Sequence, residues 1–141
     1  MATFNKFRSF VEYVAEKVIN LETDTLKFML TNTAPVNTNT VKANITEIAA
    51  GNGYTAGGAG SAVVSSGQTA GVYKLVISNV SWTASGGSIG PFRYVVLYDD
   101  TPTSPADPLV GWFDYGTALT LGIGETFTIT VDATAGILTI T

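Results

Sequence analysis

The chain has 141 residues, which suits one domain with a single core, and its residue patterns predict a helix over about 4–21 ahead of a β-sandwich over about 25–141. Hydrophobic residues make up 45% of it and charged residues 13%, about half the charged share of an ordinary soluble domain, so much of the surface must be Thr, Ser, Asn and Gly or lie against a partner. A net charge of −4 argues against neutralising phosphates, and the absence of His and Cys removes disulfides, thiolate nucleophiles, Cys/His zinc sites, Ser-His-Asp triads and imidazole acid–base chemistry.

The composition therefore points away from an enzyme and away from nucleic acid. No motif asks for a cofactor. The N-terminus mixes Phe4, Phe7 and Phe10 with Asn5, Lys6 and Arg8, so it lacks the apolar run of a signal peptide, and no stretch approaches the ~18 apolar residues that span a bilayer. The expectation is a soluble protein made in the cytoplasm, with no membrane partner. Two Asn-x-Ser/Thr sequons, at Asn44 and Asn79, are then chance products of a chain rich in those residues.

From Phe4 to Leu21 the apolar residues Phe4, Phe7, Phe10, Val11, Val14, Val18 and Leu21 recur at three- and four-residue steps, with Arg8, Glu12 and Glu16 opposite. This spacing predicts an amphipathic helix with Thr3 as its N-cap, serving either as core or as a docking arm. After Asp24 the texture changes to Thr, Val, Ile and aromatics broken by Gly, Asn and Pro, the composition of short strands and turns.

Leu26, Phe28 and Leu30 alternate with Thr25, Lys27, Met29 and Thr31 in a first strand, and an extended segment over 41–48 leads into the glycine-rich stretch Gly51 to Gly60. Segments 62–65 and 72–83 read as a hairpin. In the longer one the apolar face changes parity between Ile77 and Val80, and a bulge near Ser78-Asn79 would account for it.

Phe92 to Tyr98 is apolar on both faces, with Phe92, Tyr94, Val96 and Tyr98 on one side and Val95 and Leu97 on the other, as in a strand covered twice. Thr101 to Pro108, with three prolines and one aspartate, is a loop. Leu109 to Tyr115, Thr126 to Asp132 and Ile137 to Thr141 resume extended structure. Seven to nine short strands at roughly ten-residue spacing behind one helix predict a mainly β fold, an antiparallel β-sandwich of jelly-roll-like form.

Three features invite a chemical reading. The glycine-rich stretch lacks the Gly-Lys-Ser/Thr ending of a phosphate loop and opens no periodic helix, so it reads as a mobile or partner-contacting loop. Asp99, Asp100, Asp107 and Asp114 could suggest calcium or a glycosidase pair, but without an alternating Asp-x-Asp loop they read as solvated loop acids. The aromatics Tyr94, Tyr98, Trp112, Phe113 and Tyr115 are dense in two neighbouring strands. They suit a core first and an oligomer or partner interface second, and Tyr54, Phe92, Tyr94, Tyr98, Trp112 and Tyr115 are the candidate interface residues.

Several segments together resemble small virion proteins of tailed bacteriophages that decorate or cement the capsid. They are Thr3-Phe4-Asn5-Lys6-Phe7, Asp24-Thr25-Leu26-Lys27 with Thr31-Asn32-Thr33-Ala34-Pro35, and Thr46 through Tyr54. Ser85 through Tyr94 and Gly124-Glu125-Thr126-Phe127 extend the likeness over most of the chain. The resemblance implies a jelly-roll-like fold, a place on the virion capsid surface in many copies, the major capsid protein as partner, and a homo-oligomer, dimer or trimer. Since members of this group are also labelled tail-associated, a tail or baseplate protein is the alternative, and a carbohydrate-binding module a more distant one.

Overall fold

The computed structural model describes residues 2–141. Ten strands and one short helix are described: β1 (Asn5–Lys6), α1 (Ser9–Ala15), β2 (Leu26–Thr31), β3 (Ala59–Ser61), β4 (Val63–Thr69), β5 (Val72–Ile77), β6 (Val80–Thr83), β7 (Ile89–Asp99), β8 (Leu109–Leu121), β9 (Thr126–Ile129) and β10 (Leu138–Ile140). β1, β8, β7, β2 and β3 form one antiparallel sheet in that order. The opposing layer is split into a three-stranded piece, β10-β5-β4, and a two-stranded piece, β6-β9. No described helix is long and apolar enough to cross a membrane.

Strand alternation places the core. Leu26, Phe28 and Leu30 of β2 and Val95 and Leu97 of β7 turn inward to meet Leu75 and Ile77 of β5, Val80 and Trp82 of β6 and Leu138 of β10 in one buried cluster. The residues between them, Met29 and Val96, point the other way and join Phe7, Tyr98 and Leu109 in a second cluster on the outer face. The two-sided apolar strand is thus covered twice, as its sequence predicts. One assignment changes: Phe92 belongs to the inner cluster with Val95 and Leu97, because the register slips between Phe92 and Tyr94 and reverses the parity there.

The sandwich is as expected, whereas the helix is much shorter than 4–21. Residues 5 and 6 are extended and pair with Trp112 and Gly111 on β8, and the helix runs only from Ser9 to Ala15. Arg8, not Thr3, stands at the N-cap, and it makes no side-chain cap. The three-residue spacing of Phe4, Phe7 and Phe10 arises because the chain rounds a sheet edge. Phe4 packs on the inner cluster beside Phe113, Phe7 on the outer one beside Trp112, and Phe10 on the inner one again.

The helix ends where Lys17 takes a left-handed φ of 63°. The N–H of Val18 then bonds the Tyr13 carbonyl and that of Lys17 the Val14 carbonyl, a C-terminal motif usually built on glycine. Val11, expected on the buried stripe, is exposed. With Phe7 and Phe10 buried, this segment is core and not a docking arm.

Two further expectations are corrected. The parity change between Ile77 and Val80 is no bulge: the chain leaves one piece of the second layer for the other, and Ser78 and Asn79 bridge them. Ser78 Oγ accepts the Ala62 N–H (3.0 Å), while Asn79 Oδ1 accepts that of Val131 (2.8 Å). Segment 41–48 is not a strand; it holds a 3-10 turn, Lys42–Asn44, because Asn44 Oδ1 takes the N–H groups of Thr40 and Val41 and folds the chain back.

Candidate functional site

The six aromatic candidates separate by environment. Tyr54, Phe92 and Tyr98 are at most 2% exposed and cannot meet a partner in the folded chain. Phe92 sits edge-on to Phe127, with centroids 5.0 Å apart. The two tyrosines anchor a buried polar network instead. Tyr54 donates to Glu47 Oε1 (2.7 Å) and accepts the N–H of Leu30 (3.0 Å), and the same Glu47 oxygen takes the Gly57 N–H (2.6 Å). Tyr98 donates to the Gly57 carbonyl (2.6 Å).

Burial pushes both phenols well above their ordinary range. Lys42 closes the network from outside, 3.5 Å from Glu47 Oε2 and 5.8 Å from the Tyr98 ring centre. The glycine-rich stretch is therefore a seam fastened to the core, not a free loop. A Cβ on Gly58, at φ +81°, would collide with the Phe28 carbonyl, and one on Gly53 with that of Thr83. Close backbone approach explains these glycines. Sequence reasoning missed Glu47, a lone acid whose partners are Lys42 in the 3-10 turn and Tyr54 and Gly57 in the glycine-rich stretch.

Tyr94 and Trp112 are half-buried, and the ladder sets them on one face. Tyr94 stands opposite Asp114 and Val96 opposite Trp112, so all four point to the outer side of the five-stranded sheet. Met29, Val96 and Tyr98 fill the covered part of that face, and Tyr94 and Trp112 lie where cover runs out.

Arg93 frames this patch. Its Nε and Nη2 reach the two oxygens of Asp114 at 2.8 and 2.9 Å, and its guanidinium lies 5.3 Å from the Tyr94 ring centre. The Arg93 bonds, aided by the Gly116 N–H, hold the Asp114 carboxyl below its ordinary range. Tyr115, 51% exposed, points to the opposite side, edge-on to Phe127. There it borders an apolar cleft of about 420 Å³ between the two layers, lined by Phe4, Val95, Phe113, Phe127 and Ile129.

The acids also separate. Asp114 belongs to the patch just described, and Asp100 pairs with Lys27 at 2.8 Å. Asp99 is not a solvated loop acid: it is fully buried, with Oδ1 on the Thr101 N–H and Oδ2 unpartnered. Burial first, and the neighbouring Asp24 carboxyl second, raise its pKa to about 8. Burial followed by Asp100 raises Asp107. No three acids among the described residues are grouped so as to hold a metal ion.

The half-exposed patch of Arg93, Tyr94, Trp112 and Asp114 is the candidate site. It offers flat aromatic surface and a paired fork of charges, which suits recognition of another surface. No protein-family description, no curated protein and no solved structure matches this chain.

Proposed function

We propose that this chain is a structural virion protein that binds and stabilises a phage capsid shell in many copies, as a homo-oligomeric decoration protein contacting the major capsid protein. The observation that carries the reading is the outer-face patch, where Tyr94 and Trp112 stand half-open beside the Arg93–Asp114 pair on a rigid sheet. Interfaces favour such aromatic and arginine anchors. The sequence likeness to decoration proteins, the low charge and the lack of His and Cys support it. Each contact can be weak, since many copies on one particle sum through high effective concentration.

Purified protein mixed with empty phage shells should co-sediment with them in near-stoichiometric amounts; protein left wholly in the supernatant would count against the reading. The same likeness leaves a tail or baseplate protein as a second reading. That alternative predicts few copies per virion, which densitometry against the major capsid protein resolves.

A further inference from the structure

We infer that two copies of this chain associate by antiparallel pairing of the free edge of β4, joining their three-stranded pieces into one continuous sheet. The inference begins with which edges are open. β8 is covered by β1 at Gly111 and Trp112, and beyond them it is irregular: Tyr115–Ala118 stand opposite Arg93 alone, with Gly116 at φ +100° and its N–H taken by Asp114. Such a bulge blocks strand addition. β3 and β10 are three residues each, and β6 and β9 four.

β4 differs. From Ser65 to Thr69 it pairs residue for residue with Val76 to Val72, through a tight turn whose Ala70 and Gly71 both have positive φ, and among the described residues no strand lies on its other side.

Natural edges of this kind are ordinarily blocked by lysine, proline or a short length. Here no charged residue and no proline occurs between Glu47 and Lys74. Lys74, opposite Gly67, is drawn away by the carbonyls of Ala133 and Thr134, at 3.4 and 3.1 Å.

The neutrality is what selects a second copy as occupant. Chains of net charge −4 repel one another, and a two-fold antiparallel pair sets the residue on its axis directly opposite its own duplicate, so a charge at the centre of the strand would face its like. Centred on Gly67, the middle of the regular stretch, the pairing sets Ser66 opposite Gln68 of the partner and Ser65 opposite Thr69 of the partner; Ser66 Oγ is engaged by the Tyr73 hydroxyl (2.8 Å) and Gln68 Oε1 by the Gly71 N–H (3.1 Å), so the cross-strand bonds fall to the Gln68 amide N–H groups and the Ser65 and Thr69 hydroxyls. Val64, 65% exposed, flanks the seam. So short a seam falls in the small, weak class of interfaces, and a concentration-dependent dimer is expected.

The pairing deepens the homo-oligomer part of the proposed function, and it is tested without shells so that the two fail separately. Sedimentation velocity of the full chain, run as a concentration series into the millimolar range, should show a reversible monomer–dimer equilibrium. Gly67 is exposed, outside the left-handed region, and a Cβ there meets nothing within 4 Å, so Gly67→Ala should fold and dimerise as the parent does.

Gly67→Lys and Gly67→Glu should keep the circular dichroism spectrum and melting transition while weakening dimerisation by about tenfold or more. An equimolar mixture of the two should recover it. A parent chain that stays monomeric throughout or forms a trimer would overturn the inference. So would a Gly67→Lys chain that dimerises like the parent, or a mixture that associates no better than either variant alone.

Discussion

Asp99 shows how one buried carboxyl sets a pH dependence. Its folded-state pKa of about 8 lies above the ordinary carboxylate value, so the folded chain holds a proton that the unfolded chain has already released. Its contribution is neutral below about pH 4 and increasingly destabilising as the pH climbs to about 8. Asp99→Asn keeps an acceptor for the Thr101 N–H and removes the titration. Thermal melts should therefore coincide with the parent near pH 4 and lie increasingly above it as the pH rises to 8.

Tyr54→Phe tests the neighbouring polar network. It leaves the Leu30 N–H without its partner and Glu47 Oε1 with only the Gly57 N–H, and should cost about 1–3 kcal/mol in denaturant titration. Neither residue's weight is legible from its neighbours in sequence. Asp99 lies among loop acids that read as solvated, and Tyr54 among glycines that read as mobile.

The short helix α1 is the element where local pattern misleads. Apolar residues at three-residue steps fit one face of a helix, yet the same spacing serves a chain that passes round a sheet edge and drops Phe4, Phe7 and Phe10 alternately on its two sides. The stop signal was hidden too, because Lys17 occupies the left-handed position where glycine is the usual marker. Lys17→Gly removes that strain and should stabilise the chain by about 0.5–1 kcal/mol, read as a raised melting temperature. A fall would show that the lysine stem contributes more by packing than its backbone costs. The strands were far more legible, since Leu26-Phe28-Leu30 and Val95-Leu97 carry a period of two that only a half-buried sheet face explains.

For the whole molecule, the outer patch and the free β4 edge lie on different layers of the sandwich, which leaves the aromatic patch open in a β4-paired dimer. On the proposed function, each dimer presents two patches to the shell and binds by avidity. Tyr94→Ala removes exposed aromatic surface without opening either buried cluster. It should reduce the fraction of protein co-sedimenting with shells by about tenfold while changing the melting temperature little. Unchanged shell binding would move the contact elsewhere on the surface.

By itself the sequence determined the strand-rich class, the inward residues of the central strands, the proline loop before β8, and the chemistry that a chain without His and Cys cannot perform. Those properties follow from composition and short-range alternation. Tertiary structure alone decided which aromatics are core: Tyr54, Phe92 and Tyr98 are sealed, whereas Tyr94, Trp112 and Tyr115 reach solvent. The physical reason is that an aromatic side chain has the same apolar character in a core and at an interface. Its fate depends on cover from distant segments: Phe7 and the turns around Ile45 and Gly57 laid over the outer face seal Tyr98, while Trp82 and Phe127 of the opposing layer meet Tyr54 and Phe92.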